Sequence, residues 1–238
     1  MRITPNILSI ILVLFTVSTY AQPVMVDVFV NVDDSINHTI NEINNSFETA
    51  GIYQKYNVTP LIKNHKVHLT MYLTEYEESK IPLIKQRVLD IAKTTQPLQI
   101  QDYGLSLKAS NFLMLEIKNT IPLQILSDKI TASLMELRNN NTIIPTWVRS
   151  DPIKTNMFTQ FGSPNVYEGF DPHFSIFAAK IPQEQQAMFS QQVNQHLTQI
   201  KFQPHNYQIT EIGIAVTDND GQITKLIASC PLTQTSKK

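Results

Sequence analysis

Two triplets 105 residues apart, His68-Leu69-Thr70 and His173-Phe174-Ser175, carry the residue types needed for acid-base chemistry. Side chains alternate along a strand, so His68, Thr70 and Tyr72 are expected on one face, with Leu69, Met71 and Leu73 behind them. The same parity groups His173, Ser175 and Phe177 and buries Phe174 and Ile176. Opening a cyclic phosphodiester needs a base for the attacking water and an acid for the leaving sugar oxygen. Two imidazoles can supply both near neutrality, because an unperturbed histidine titrates at about pH 6.5. Thr70 and Ser175 are expected to donate hydrogen bonds to the non-bridging oxygens as charge grows on them. Tyr72 and Phe177 are candidate walls for a base or sugar. This chemistry requires no metal and no other cofactor. A lone strand histidine is more often structural than catalytic, so the assignment rests on the pair.

The pair sits at equivalent points of an internal repeat. After His68 come Lys80-Ile81-Pro82 and Gln99-Ile100-Gln101-Asp102-Tyr103-Gly104-Leu105; after His173 come Lys180-Ile181-Pro182 and Gln208-Ile209-Thr210-Glu211-Ile212-Gly213-Ile214. The order is the same in both copies, and the differences in offset are of a size that loop lengths absorb. Each copy reads as strand, helix, hairpin. Leu83, Ile84, Val88 and Ile91, and then Phe189, Val193, Leu197 and Ile200, recur at helical spacing behind a proline suited to a first turn. Residues 98–107 with 111–117, and 206–217 with 222–229, read as antiparallel pairs, the second turning through Asp218-Asn219-Asp220-Gly221. Upstream of the first copy, Val24, Val26, Val28, Val30 and Val32 alternate as a strand before a helix from about Ser35. Ile121 to Arg138 makes the helix upstream of the second. Residues 139–170, rich in Asn, Pro, Thr and Ser, read as a long loop between the lobes or over the groove.

The expected architecture is α+β: two pseudo-symmetric lobes of antiparallel sheet with outer helices, each helix on its own small sheet, and a central groove. The lobes fall near residues 22–118 and 119–238, with exchange of strands between them allowed. Residues 1–21 have the form of a secretory signal peptide, an apolar run from Ile7 to Val17 followed by small residues at 19 and 21. That predicts a secreted or periplasmic protein of residues 22–238, with no membrane attachment after cleavage. Cys230 is the single cysteine of the chain, so no intramolecular disulfide can form.

The net charge of −1 argues against binding long nucleic acid, which calls for a cationic surplus on one face. The six glycines form no dinucleotide fingerprint or P-loop. His65 and His68, three apart on a strand, would point to opposite faces, and no cysteine cluster or H-E-x-x-H supports a metal site. No G-x-S-x-G elbow suggests a serine hydrolase. The expected partner is a small nucleotide or short oligonucleotide phosphoester, met by a monomer.

Paired H-x-[ST]-h motifs on a duplicated α/β lobe, h being apolar, resemble the 2H phosphoesterase superfamily, which includes RNA 2′,3′-cyclic phosphodiesterases and 2′-5′ RNA ligase-like proteins. The matching residues are His68, Thr70 and Met71, and His173, Ser175 and Ile176. The resemblance spans residues 24 to 229. It implies metal-independent hydrolysis or formation of cyclic or 2′-linked phosphate esters, with one histidine as base and the other as acid, His173 being taken as the base in hydrolysis. A secretory leader points to extracytoplasmic nucleotides more than to intracellular RNA processing. The rival reading is a nucleotide-binding protein with the same groove and little or no turnover.

Overall fold

A computed structural model describes residues 23–233. The signal peptide expected over residues 1–21 lies outside them. The described residues form thirteen strands and α-helices: β1 (Pro23–Val32), α1 (Ser35–Thr49), α2 (Ile52–Tyr56), β2 (Leu69–Glu77), α3 (Ile81–Lys93), β3 (Leu98–Leu107), β4 (Phe112–Ile117), α4 (Ile121–Leu134), α5 (Pro152–Phe161), β5 (His173–Ala178), α6 (Gln186–Gln199), β6 (Asn206–Thr217) and β7 (Ile223–Pro231). Prolines open α3, α4 and α5 in the first turn, where a missing N–H costs nothing. Asp151 caps α5 by accepting from the Ile153 and Lys154 amides.

Every strand pairing is antiparallel, in the order β2-β1-β6-β3-β4-β5, with β7 also on β6. β3 belongs to both halves of the sheet: Leu98–Gln101 pairs with β6, and the stretch from Asp102 to Leu107 pairs with β4. The Asp102 carboxylate fixes that crossing, accepting from the Tyr207 hydroxyl at 2.6 Å and the His205 amide at 2.6 Å.

The two sequence copies are therefore not the two spatial lobes. β2, which starts one residue after His68 instead of including it as expected, lies beside β1 and is completed by the second copy's hairpin, β6–β7. The His173 strand, β5, is completed by the first copy's hairpin, β3–β4. Helix α3 packs on β6 and β7, α4 on β2 and α6 on β3, so the expectation that each helix covers its own copy's sheet is corrected. Each lobe therefore draws strands from both copies. Within 139–170, expected as loop throughout, residues 152–161 form α5, which buries Met157 and Phe158. Among the described residues no helix is long and apolar enough to cross a membrane.

β1 is buried on both faces. Val26, Val28 and Val30 face the main core, whereas Asp27 and Phe29, also fully buried, face the other way. Phe29 packs against Ala215, Ile223 and the bare backbone of Gly213, where a Cβ would sit 2.2 Å from the ring.

Candidate active site

His68 and His173 are held in the same way. His68 Nδ1 bonds to the Lys66 carbonyl at 2.8 Å, and His173 Nδ1 bonds to the Asp171 carbonyl at 2.7 Å, each two residues upstream. A carbonyl can only accept, so Nδ1 carries the hydrogen, and in the neutral ring Nε2 keeps its lone pair. His68 stands edge-on to Phe29, with ring centroids 5.7 Å apart. Burial holds both imidazoles below the usual histidine range. Positive charge on His173 and His65 would depress His68 further.

The residues also converge physically. His68 and His65 from the first copy, and Ser175 from the second, line one cavity of about 10 Å³ between Leu61, Val67 and Gln222. That is close to the room for a single water. The Gly221 backbone, on the β6–β7 turn, opposes the effect of burial and favours the protonated His68 ring.

Thr70 does not point into open space. Its hydroxyl is hydrogen bonded to Asp27 Oδ2 at 2.9 Å, and the same oxygen lies 3.6 Å from His68 Nε2. Asp27 Oδ1 is buried with no hydrogen-bond partner. Burial pushes the carboxyl up to about 8, against a smaller opposing effect from the Thr70 bond, so Asp27 is predominantly neutral at pH 7. The sequence reading missed Asp27. Its signal was a lone acid in the run Val24 to Val32, on the strand expected to pair nearby, and alternation alone assigns it to solvent.

Around the second histidine the acidic groups lie against lysines. Glu116 lies opposite His173 in register and receives Lys108 Nζ at 2.7 Å and the Ser106 hydroxyl. Asp171 lies 3.6 Å from both Lys108 and Lys154. The charges of Asp171 and Glu116 favour a protonated His173, although burial outweighs them.

Tyr72 and Phe177, expected to wall the groove, are instead fully buried in the core. The cause is a bulge in each histidine strand. Val28 pairs with Tyr72 and Phe29 with Thr70, which leaves Met71 unmatched; Leu113 pairs with Phe177 and Met114 with Ser175, which leaves Ile176 unmatched. One extra residue reverses the parity beyond it. Tyr72 therefore turns inward and donates to the Phe161 carbonyl at 2.6 Å, and Phe177 packs edge-on against Phe47 and Tyr53, both at 5.6 Å. The bulged residue is in both strands the apolar fourth member of the motif. His65 is corrected as well: it lies in a bend before β2 and shares a cavity with His68 instead of facing away from it. Among the described residues no group of three or more His, Cys, Asp or Glu is placed to hold a metal ion.

No protein-family model and no curated protein matches the chain. Solved structures do. The TT0787 protein of Thermus thermophilus superposes with a TM-score of 0.57 at 14% identity, over 87% of this chain and 97% of that one. LigT of E. coli in its apo form gives 0.51 at 11% identity, over 90% and 99%. LigT complexed with 3′-AMP gives 0.51 at 13% identity, over 90% and 100%. At such identities the likeness bears on architecture alone, and by that measure the chain shares the α+β fold of these proteins.

Proposed function

We propose that the protein is a phosphoesterase that hydrolyses cyclic or 2′-linked phosphodiesters of nucleotides or short oligonucleotides, with His68 and His173 as the acid-base pair and no catalytic metal. The observation that carries this reading is the matched tethering of the two rings by Nδ1, which leaves Nε2 as the basic nitrogen of each neutral ring, with His68 lining a cavity shared with Ser175 and lying beside the Asp27–Thr70 pair. The shared fold with a phosphoesterase that has been crystallised with 3′-AMP supports it.

In a cyclic ester, one Nε2 removes a proton from water as its oxygen attacks phosphorus, and the other imidazole, protonated, delivers its proton to the sugar oxygen whose bond to phosphorus breaks. One water is consumed and a phosphomonoester with a free hydroxyl is formed. Ser175 stabilises the non-bridging oxygens directly. Thr70 joins it when Asp27 is neutral: the carboxylic O–H then donates to Thr70 Oγ1, and the threonine hydrogen is released towards phosphate. Because an ionised Asp27 would repel the substrate, its burial and raised proton affinity suit an anion site. A leader over residues 1–21 would place this activity outside the cytoplasm.

The small volume beside Ser175 is the observation that favours capture without turnover, since it leaves little room for an attacking water. The two readings separate on incubation of purified protein with 2′,3′-cyclic nucleotides and 2′-5′-linked dinucleotides in EDTA. Turnover in chelator is expected. Tight binding of these esters with none of them hydrolysed would establish the binding reading instead.

A further inference from the structure

Leu61, His65 and Gln222 line both the small cavity and an adjoining cleft of about 580 Å³. The small cavity has room for little more than the reacting atoms, so the rest of a substrate must lie beyond it. The cleft falls within the range of about 300–1,000 Å³ usual for small-molecule sites, and His65 stands at the junction.

Two cations face this cleft, Lys55 on α2 and Lys180 just after β5. Neither has a carboxylate within ion-pair distance among the described residues, whereas Lys93, Lys108 and Lys154 do. Lys55 is held in place by Gln192 Oε1 at 3.0 Å and by the face of Tyr56, with its Nζ 5.1 Å from the ring centroid. Of the two acids on the opposite rim, Asp218 is turned back on its own loop, accepting from the amides of Asp220 at 3.0 Å and Gln222 at 2.8 Å. Asp220 is exposed at the tip of that turn. The arrangement leaves two unneutralised ammonium groups in a concave site next to the small cavity lined by His68 and Ser175.

We propose that this cleft holds a nucleotide unit adjoining the scissile ester, with Lys55 and Lys180 recognising a second phosphate and His65 marking the boundary between the two sites. The substrate class is then a short oligonucleotide phosphodiester carrying a further phosphate, in preference to a cyclic mononucleotide without one. This inference rests on the phosphoesterase reading above and deepens it.

The test compares one 2′-5′-linked dinucleotide with and without a terminal phosphate, at either end, on the wild-type protein and on Lys55→Gln/Lys180→Gln, which keeps polar stems of similar size. The terminal phosphate should lower KM about tenfold in the wild type, the effect of one or two charge-assisted hydrogen bonds. The double variant should abolish that difference. A wild-type enzyme indifferent to the phosphate at both ends, or a variant that retains the preference, overturns the subsite. If no ester turns over, calorimetry with the same ligands separates the two claims: lysine-dependent preference for the phosphorylated form preserves the subsite while the enzyme reading falls, and equal affinities overturn the subsite itself.

Discussion

The Thr70 hydroxyl lies 2.9 Å from Asp27 Oδ2, a diagonal contact between β2 and β1 in which Asp27 is in register with Leu73 and Thr70 with Phe29, and a hydroxyl–carboxyl bond takes its polarity from the proton of the carboxyl group. In the proposed mechanism a neutral Asp27 donates its O–H to Thr70 Oγ1, and the Thr70 hydrogen is available to a ligand. When it is ionised, it captures that hydrogen. Two other titratable groups sense this carboxyl: His68, 3.6 Å away, and Tyr76 on β2, whose own titration responds to the Asp27 charge.

This relationship sets an alkaline limit on activity. With Asp27 titrating at about 8, kcat/KM should decline as pH rises through that value. Asp27→Asn, neutral at every pH, should keep activity at pH 7 within about tenfold and lose the alkaline decline, as read from pH–rate profiles of both proteins. A decline that persists unchanged in the variant would assign it to another group.

The same carboxyl affects stability. Its folded-state value lies above the ordinary 3.8, so the folded protein holds this proton more tightly than the unfolded chain does. The resulting stabilisation is complete below the ordinary value and is lost as pH rises towards about 8. Asp27→Asn should therefore raise Tm relative to wild type more at pH 8.5 than at pH 4, in paired thermal scans.

Both imidazoles should titrate below the ordinary histidine value in the free protein, because burial disfavours their charged forms. Ring-carbon chemical shifts followed against pH would measure this. A bound phosphate ester brings negative charge to Nε2 and should move at least one of the two upwards, as required for an acid that is protonated in the complex.

Tyr72 and Phe177 distinguish the bulged strands from regular ones. As core residues, Phe177→Ala should cost about 3–5 kcal/mol of stability, and Tyr72→Phe about 1 kcal/mol for the hydroxyl that bonds to Phe161. Tyr72→Phe should leave KM unchanged. A large KM effect with intact stability would return the ring to the groove.

Gly213→Ala should be destabilising and should also reduce kcat, because the new Cβ would displace the Phe29 ring on which His68 rests. Far-UV and thermal measurements on Gly213→Ala and Phe29→Leu would separate the loss of packing from the loss of histidine placement.

Much of this was legible in the chain. The histidine triplets, the hydroxyls two residues on, the order of elements and the α3, α4 and α6 helices all follow from local pattern, because period and proline placement are properties of adjacent residues. What escaped was non-local. The bulges at Met71 and Ile176 arise from register against β1 and β4, and strand parity taken from β2 and β5 alone therefore misplaced Tyr72 and Phe177. Asp27 looked like an outward-facing residue because nothing nearby announces that β1 is covered on both sides. The exchange of hairpins between lobes depends on which partner each strand finds, and two similar copies make either choice consistent with the same pattern. Helix α5 follows a loop-like stretch of Asn, Pro and Thr that hides its start at Asp151.

The central claim is that two histidines act as one acid-base unit. The most direct test is the single-turnover rate of 2′,3′-cyclic nucleotide hydrolysis in EDTA for His68→Ala, His173→Ala and the double variant. The account predicts that each single variant loses about 10²–10⁴-fold in rate, and that the double variant loses little more than either, because a unit fails when one member is gone. Wild-type turnover that survives either substitution, or losses that multiply in the double variant as for independent residues, would contradict it.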